Sequence, residues 1–401
     1  MVKLRNIVVL FLCSLFFVPT RAEISFRGAW IATVANIDWP SVEAVGNDSL
    51  QKEEMVWILD SLQSLGINAV IFQVRPTADA LYFSELEPSS HWLTGTQGAP
   101  LTYDPLEWTI DEAHKRNMEV HVWLNPYRVN LAKTDTSILA PDHLLRRHPE
   151  WFWCYAKQWY FDPGLPITRE WICTIVQDIV DRYDIQAIHM DDYFYPYPQG
   201  KQALPDTTTF AKHPRGFEDI RNWRRDNVNL AIQAISETIK ECKPEVEFGI
   251  SPFGVWRNAD VDSTGSATQA GITNYDDLYA DIRLWIKEGW IDYVLPQLYW
   301  EIGKKVADYE VLAHWWANEV KGTSCRLYIG MAPYRLENAS AKTPWGQGNE
   351  IVRQMKLNRT IPEITGECFY STRPLLRNPR GVCDTIRLIY KDDGAENLPW
   401  E

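Results

Sequence analysis

Between residue 26 and the last few residues, short apolar runs alternate eight times with segments of helical period, and no linker, low-complexity tract or short repeat breaks the rhythm. Strands separated by helices must lie parallel, and strands buried on both faces read as near-continuous apolar runs. The predicted strands are 26–34, 69–74, 119–124, 187–190, 247–250, 293–298, 327–332 and 364–370. Helical stretches fall between them. Over 50–65 the stripe Met55, Ile58, Leu59, Leu62, Leu65 is stopped by Gly66, and Asp104-Pro105 supplies a cap and a first-turn proline for a helix to about 117. Further helices are predicted over 168–183, 216–243, 275–288, 308–320 and 347–356. Although 401 residues would allow two or three average domains, eight is the closure number of a TIM barrel. The expected fold is therefore α/β, a (β/α)8 TIM barrel with long loops on its C-terminal face, formed as a single domain by 23–401.

A barrel of this kind works at the C-terminal ends of its strands. Arg75, Asn125 with Tyr127, Asp191 with Asp192, Trp256 with Asn258, Gln297 with Tyr299 to Glu301, and Tyr334 with Arg335 all fall just beyond a predicted strand. The fourth strand is the most telling, reading A-I-H-M and then D-D-Y-F-Y-P-Y-P-Q over 187–199. An apolar strand delivering acids into an aromatic loop suits sugar cleavage, since carboxylates do proton or nucleophile work and rings stack on pyranoses. The alternative is that these aspartates cap a loop or pair with an arginine. Period-two geometry puts His189, Asp191 and Tyr193 on one side and Met190 and Asp192 on the other. A polar ladder is more useful facing a substrate than packed helices, so Asp191 is the first candidate for general acid or nucleophile. Asp192 is the second, orienting a neighbour or the substrate. His189 reads equally as a site residue or as a buried histidine satisfying a neighbour.

A glycosidase of the usual kind needs a second carboxylate, roughly 5 Å away for retention or about 6.5–9.5 Å for inversion. Glu301 is the best-placed candidate, with Asp38, Asp79 and Asp162 behind it. A route assisted by a substrate N-acetyl group would need one acid, with Tyr299 steadying the acetamido oxygen. Arg75 is expected to hold a substrate carboxylate, to keep Asp191 ionised, or to form a structural ion pair. Trp30, Trp92, Trp256 and Trp300 are candidates for stacking or for the core. The composition favours a stacked ligand: 19 Trp, 18 Tyr and 14 Phe exceed what packing usually asks for. Metal-ligand spacing, a Gly-rich phosphate loop and a Gly-x-Ser-x-Gly elbow are all absent, arguing against zinc hydrolases, nucleotide enzymes and serine esterases. No cofactor or metal is expected.

Residues 1–22 carry Lys3 and Arg5, an apolar run from Ile7 to Val18, and Thr20-Arg21-Ala22 as a cleavage site. They read as a secretory signal peptide, implying export to the periplasm or beyond. Cys13 lacks the small residues that precede a lipidated cysteine, and the run is short for a membrane span. Losing the three cations of this segment takes the net charge from -13 to -16, which disfavours nucleic acid and anionic membrane as partners. Six cysteines remain, at Cys154, Cys173, Cys242, Cys325, Cys368 and Cys383. Their spacing is neither a disulfide framework nor a zinc motif, so they read as core residues with room for one or two bridges. A monomer is expected.

The stretches F-R-G-A-W-I-A-T-V-A-N-I-D-W-P-S, I-F-Q-V-R-P-T-A-D-A, V-W-L-N-P-Y-R, H-M-D-D-Y-F-Y-P, G-I-S-P-F-G-V-W-R and V-L-P-Q-L-Y-W together resemble the bacterial glycosyl-hydrolase-like family ten, once catalogued as a domain of unknown function. The resemblance spans about 24–390. It implies a TIM barrel, a location in the envelope or outside the cell, and glycosidase activity, with a relative that cleaves peptidoglycan glycan strands stripped of peptides. It places Asp191 and Asp192 in the family's acidic motif, and Arg75, Asn125, Tyr127, Gln297 and Tyr299 in its cleft. The expected function is thus an exported glycoside hydrolase of a polysaccharide, with peptidoglycan glycan favoured. The competitors are a catalytically silent carbohydrate-binding barrel and a polysaccharide deacetylase; deacetylation generally wants a His-rich metal site.

Overall fold

The computed structural model describes residues 24–131 and 135–391. The proposed signal segment and Cys13 lie outside the described residues. The strands are β1 (Phe26–Ile31), β2 (Ala69–Arg75), β3 (Glu119–Leu124), a hairpin of β4 (Phe152–Tyr155) and β5 (Gln158–Phe161), then β6 (Ala187–Met190), β7 (Glu247–Ile250), β8 (Tyr293–Val294), β9 (Arg326–Met331) and β10 (Ile364–Phe369). Eight of them close into a barrel in the order β1-β10-β9-β8-β7-β6-β3-β2, and neighbouring strands run parallel throughout. The fold is the (β/α)8 TIM barrel expected from the alternation.

The principal outer helices are α1 (Asp48–Ser64), α2 (Pro105–His114), α3 (Pro166–Arg182), α4 (Ile220–Cys242), α5 (Ile282–Lys287), α6 (Tyr309–Val320), α7 (Glu350–Asn358) and α8 (Val382–Lys391). They start where the chemistry says they should. The Asn47 side chain accepts from Leu50 N–H at the head of α1, and Asp104 accepts from Leu106 and Glu107 before Pro105 opens α2. Their apolar stripes pack on the outward-facing side chains of the strands, such as Ile188, Met190 and Ile250. Each such fully buried aliphatic contributes roughly 1.5–3 kcal/mol.

The opposite faces of the strands fill the lumen. Phe26, Trp30, Ala69, Ile71, Trp123, Ala187, Tyr293 and Tyr328 form a second buried cluster inside the ring. Layering of large rings needs small partners: a Cβ on Gly249 would fall 1.8 Å from the Tyr293 ring. The lower lumen is thereby plugged, with Phe26 stacked on Tyr328 at 4.2 Å, and only the C-terminal end stays open.

Three predicted elements differ from the structure. The first strand stops at Ile31 rather than 34, because Ala32 N–H bonds Asp38 Oδ2 and the N–H groups of Thr33 and Val34 bond Gln73 Oε1. The sixth predicted strand keeps only two ladder residues, since Pro296 has no N–H to offer. Isolated bridges at Gln297, to Phe253 and Gly330, carry its path to the rim. The helix predicted over 275–288 is broken by Tyr279 at φ 54° into Asn274–Asp277 and α5. In the excursion after β3 the β4/β5 hairpin turns through Ala156 and Lys157, both at positive φ, as a two-residue turn requires. All six described cysteines are free, so the allowance for one or two disulfides is corrected. Among the described residues no helix is long and apolar enough to cross a membrane.

Candidate active site

The open end of the lumen is a cleft of about 300 Å³. Strand β6 builds its floor: Ala187 faces the lumen, so two residues on His189 faces it, and Asp191 arrives at the rim. The Asp191 carboxylate accepts from Trp123 Nε1 at 3.1 Å, from Asn125 Nδ2 at 3.2 Å and from Tyr193 N–H at 3.3 Å. Asn125 is oriented for this, because its Oδ1 accepts from Arg128 N–H and leaves the amide N–H groups toward the acid. Arg128 itself lies 5.0 Å over the Tyr193 ring and is anchored on Pro76 O. Burial raises the Asp191 carboxyl, while the charge of Arg128 and the three N–H donors pull it back down.

Asp192 is turned to the other side of its loop, where Tyr197 Oη bonds its Oδ2 and Gln297 lies within bonding reach. Burial, reinforced by the negative charge of Asp191, pushes Asp192 up to about 7. Two acids crowded into one dry site cannot both ionise cheaply. Both carboxyls are raised by burial, but Asp191 has more N–H donors to offset that rise, so of the two it ionises first and Asp192 holds its proton longer. Tyr197 lines the cleft while Asp192 does not, making the phenol the contact between the proton and the open space. The loop is pinned from outside: Gln199 N–H bonds Tyr155 Oη on β4, and Tyr195 Oη accepts from Asn227 on α4.

Of the residues proposed from sequence, Trp30, Asp191, Tyr193, Gln297, Tyr299 and Trp300 line the cleft. Gln297 is held by its Nε2 on Ser251 O, and Trp300 meets Phe253 edge-on at 5.4 Å. Burial keeps the Tyr299 phenol neutral, available to donate. His189 lies one layer below, in a chain whose direction its end member decides. Trp30 Nε1 is only a donor, so His189 Nε2 accepts from it at 3.4 Å; Nδ1–H then donates to Tyr293 Oη at 2.9 Å, and that hydroxyl donates to His121 Nδ1 at 2.8 Å. Burial holds His189 far below its ordinary range, hence neutral. It fastens the floor and carries no charge.

Eight proposed residues are elsewhere. Arg75 is fully buried, its guanidinium clasping Glu87 at 2.6 Å on both arms and reaching Asn125 O, so it has nothing left for a substrate or for Asp191. Tyr127 is in the helix-facing core. Trp256 packs between Trp315, stacked at 5.9 Å, and Arg283 on the outer surface. Glu301 turns away from the cleft that its neighbour Trp300 lines: Lys304 Nζ holds Oε1 at 3.0 Å and Trp345 Nε1 holds Oε2 at 2.8 Å. The other second-carboxylate candidates hold loops. Asp38 accepts from Ala32, Ser371 and Arg373, Asp79 from Thr77 and Gln97, and Asp162 from Gly164 and Thr209. Trp92 packs against His91 at 3.9 Å with the rings tilted by 41°, away from the cleft.

The cleft also contains Trp123, Tyr197, Ser251, Phe253, Arg335 and Tyr370, which were not proposed. Parity would have found Trp123, two residues before Asn125 on the lumen side of β3. Ser251 and Tyr370 are the first residues past β7 and β10. Tyr197 gives no local signal, because its loop folds back on itself. Among the described residues no group of three or more His, Cys, Asp or Glu is gathered for a metal ion.

A sequence model described as "Glycosyl hydrolase-like 10" matches residues 25–346. The chain belongs to that family. The match ends before β10, yet β10 pairs with both β1 and β9 and closes the ring. The glycosyl hydrolase-like 10 relatives cover more: "Glycosyl hydrolase YngK" of Bacillus subtilis (strain 168) is 47% identical over 388 residues, 96% of this chain and 76% of its own length. "Glycosyl hydrolase DigH" of Escherichia coli (strain K12) is 41% identical over 362 residues, 86% of this chain and 82% of its own. Among solved structures, the PgaB (BpsB) glycoside hydrolase domain of Bordetella bronchiseptica superposes with a TM-score of 0.54 at 11% identity, covering 93% of this chain and 99% of that domain. Alpha-L-fucosidase isoenzyme 2 of Paenibacillus thiaminolyticus superposes with the same score at 14% identity, over 92% of this chain and 49% of its own. These two structural likenesses speak to the barrel alone.

Proposed function

We propose that this glycosidase is exported and cleaves the glycan backbone of peptidoglycan, with Asp191 and Asp192 as its reacting pair. The observation that carries the reading is the Asp191 carboxylate at the rim of an aromatic cleft, met by three N–H donors, beside an Asp192 that burial and the Asp191 charge push up to about 7. As the bond to the anomeric carbon breaks, positive charge grows on the sugar ring, and the Asp191 anion stabilises it. The departing oxygen needs a proton at the same moment. At rest Tyr197 Oη donates to Asp192 Oδ2, and for the transfer this bond turns round: Tyr197 gives its proton to the departing oxygen as it takes the proton of Asp192, so the phenol ends neutral as it began.

With Glu301 turned away, Asp191 is the one carboxylate lining the cleft among the described residues. That favours a route in which the substrate's own acetamido oxygen attacks, steadied by the neutral Tyr299, over one in which a further carboxylate lining the cleft is the nucleophile. Export rests on the signal-like segment, and the substrate on the family resemblance and the ring-lined cleft. The test is release of reducing ends from peptidoglycan strands. Asp191→Asn should stop it while strand binding persists. A wild-type protein that binds strands and never releases an end is the silent barrel instead, and release of acetate abolished by a chelator would mean a deacetylase.

A further inference from the structure

Two charged side chains line the cleft among the described residues, Asp191 and Arg335. Arg335 follows β9 in a turn at Pro333–Leu336, on the same rim that carries Asp191. The chain has 53 acidic against 40 basic residues, so carboxylates are in surplus, and the following arginines elsewhere find them. Arg75 takes Glu87, Arg224 takes Asp206, Arg257 takes Asp276, Arg283 takes Glu319 and Arg359 takes Glu367. Arg335 has no such partner among the described residues. Its guanidinium is exposed and rests against two rings, Tyr334 at 5.6 Å and Trp345 at 6.0 Å.

The neighbouring architecture keeps it free. Glu301 follows directly on the cleft residue Trp300, but Trp345 and Lys304 hold its carboxylate. Trp345 thus has two contacts of opposite kind: its N–H takes the local anion, and its ring face supports the local cation. What remains at the cleft edge is a planar fork of N–H donors, oriented by aromatic rings and lacking an anion. Such a fork matches a carboxylate with two parallel bonds, which a lysine cannot reproduce.

We propose that Arg335 is the specificity-determining residue of the cleft and that it reads a carboxylate on the glycan, so that the enzyme selects strands built from acidic sugars. This rests on the glycosidase reading above. Two sources share the chemistry, the lactyl ether carboxylate of a muramic acid freed of its peptide and the ring carboxylate of a uronic acid. An amide-linked peptide abolishes the charge, so the same residue discriminates against substituted strands.

The experiment is a fluorescence titration of the full chain, with Trp30, Trp123 and Trp300 as reporters, using N-acetylmuramic acid, glucuronic acid and N-acetylglucosamine. Wild type should bind N-acetylmuramic acid roughly tenfold more tightly than N-acetylglucosamine at low salt, with the gap narrowing as salt rises. Arg335→Gln should close the gap while leaving N-acetylglucosamine binding unchanged, which also shows that the cleft has folded, and Arg335→Lys should restore part of it. Glucuronic acid binding more tightly than N-acetylmuramic acid would support the carboxylate and assign it to a uronic acid. An equal gap in wild type and Arg335→Gln, an equal loss for all three sugars, or a wild type that binds none of them would overturn the proposal. A persisting carboxylate preference in a protein that releases no reducing ends would leave Arg335 as assigned and remove the glycosidase reading instead.

Discussion

Two aromatic hollows open on this barrel, and they differ in what their charges are doing. The larger, about 810 Å³, lies on the outer surface around Trp256 and the ends of α5 and α6. Its arginines are spent: Arg283 bonds Glu319 at 2.6 Å, and Arg257 bonds Asp276 at 2.7 Å and Asp262 at 3.2 Å. The cleft at the strand ends is less than half that volume. There burial beside Asp191 pushes Asp192 up to about 7, and Arg335 pairs with no carboxylate among the described residues. Volume favours the outer hollow, although two aromatic residues line it against eight in the cleft. Unsettled charge favours the inner one, and charge is what chemistry on a glycosidic bond requires.

The comparison breaks most plainly by mutation. Asp191→Asn should lower the rate of reducing-end release about 10³-fold or more, whereas Trp256→Ala should change it less than about twofold. The reverse outcome would move the active site to the outer hollow. Next in size is Arg75, whose charge is as thoroughly paired as those of the outer arginines but fully buried. Arg75→Met strands the Glu87 carboxylate and should cost about 3–5 kcal/mol in denaturant unfolding. A loss below about 1 kcal/mol would show that the pair is not structural.

Asp192 sharpens the contrast through pH. Its folded pKa of about 7 lies above the ordinary 3.8, so the folded chain binds this proton more tightly than the unfolded chain does. The associated stability is fully present below about pH 3.8 and is lost as pH rises through about 7. Asp192→Asn should therefore reduce the fall in unfolding free energy across that window, and should leave a much lower rate that does not fall further above pH 7, where wild-type activity is expected to decline. An unchanged profile in both would place the proton elsewhere. Smallest is Tyr293→Phe, which breaks the His189–Tyr293–His121 chain under the floor. It should cost about 2 kcal/mol of stability and change the rate only a few-fold. A loss as large as that of Asp191→Asn would mean that the chain moves protons during turnover.

The barrel was legible because its cause is local and periodic. Every strand needed an apolar run and every helix a stripe, several of them with a cap, and these write themselves into neighbouring residues. Asp191, Trp30 and Tyr299 were legible for the same reason, since strand parity decides which side chains the lumen receives. What local pattern cannot carry is the choice of partner across the chain. Arg75 and Arg335 look alike in sequence, each just beyond a strand beside a proline or tyrosine. Glu87, on the loop after β2, buries one in an ion pair, while Trp345 and Lys304 withdraw Glu301 and leave the other open. Glu301 itself differs from a cleft residue by one position along the chain. The disulfide allowance failed similarly, because sequence spacing does not say which thiols meet.

The most direct test is a crystal structure of the Asp191→Asn protein with a peptidoglycan glycan fragment bound. The account predicts a sugar against Trp300 and Tyr299, its anomeric carbon facing residue 191, and a carboxylate in the fork of Arg335. A fragment seated on Trp256, with the strand-end cleft empty, would contradict it.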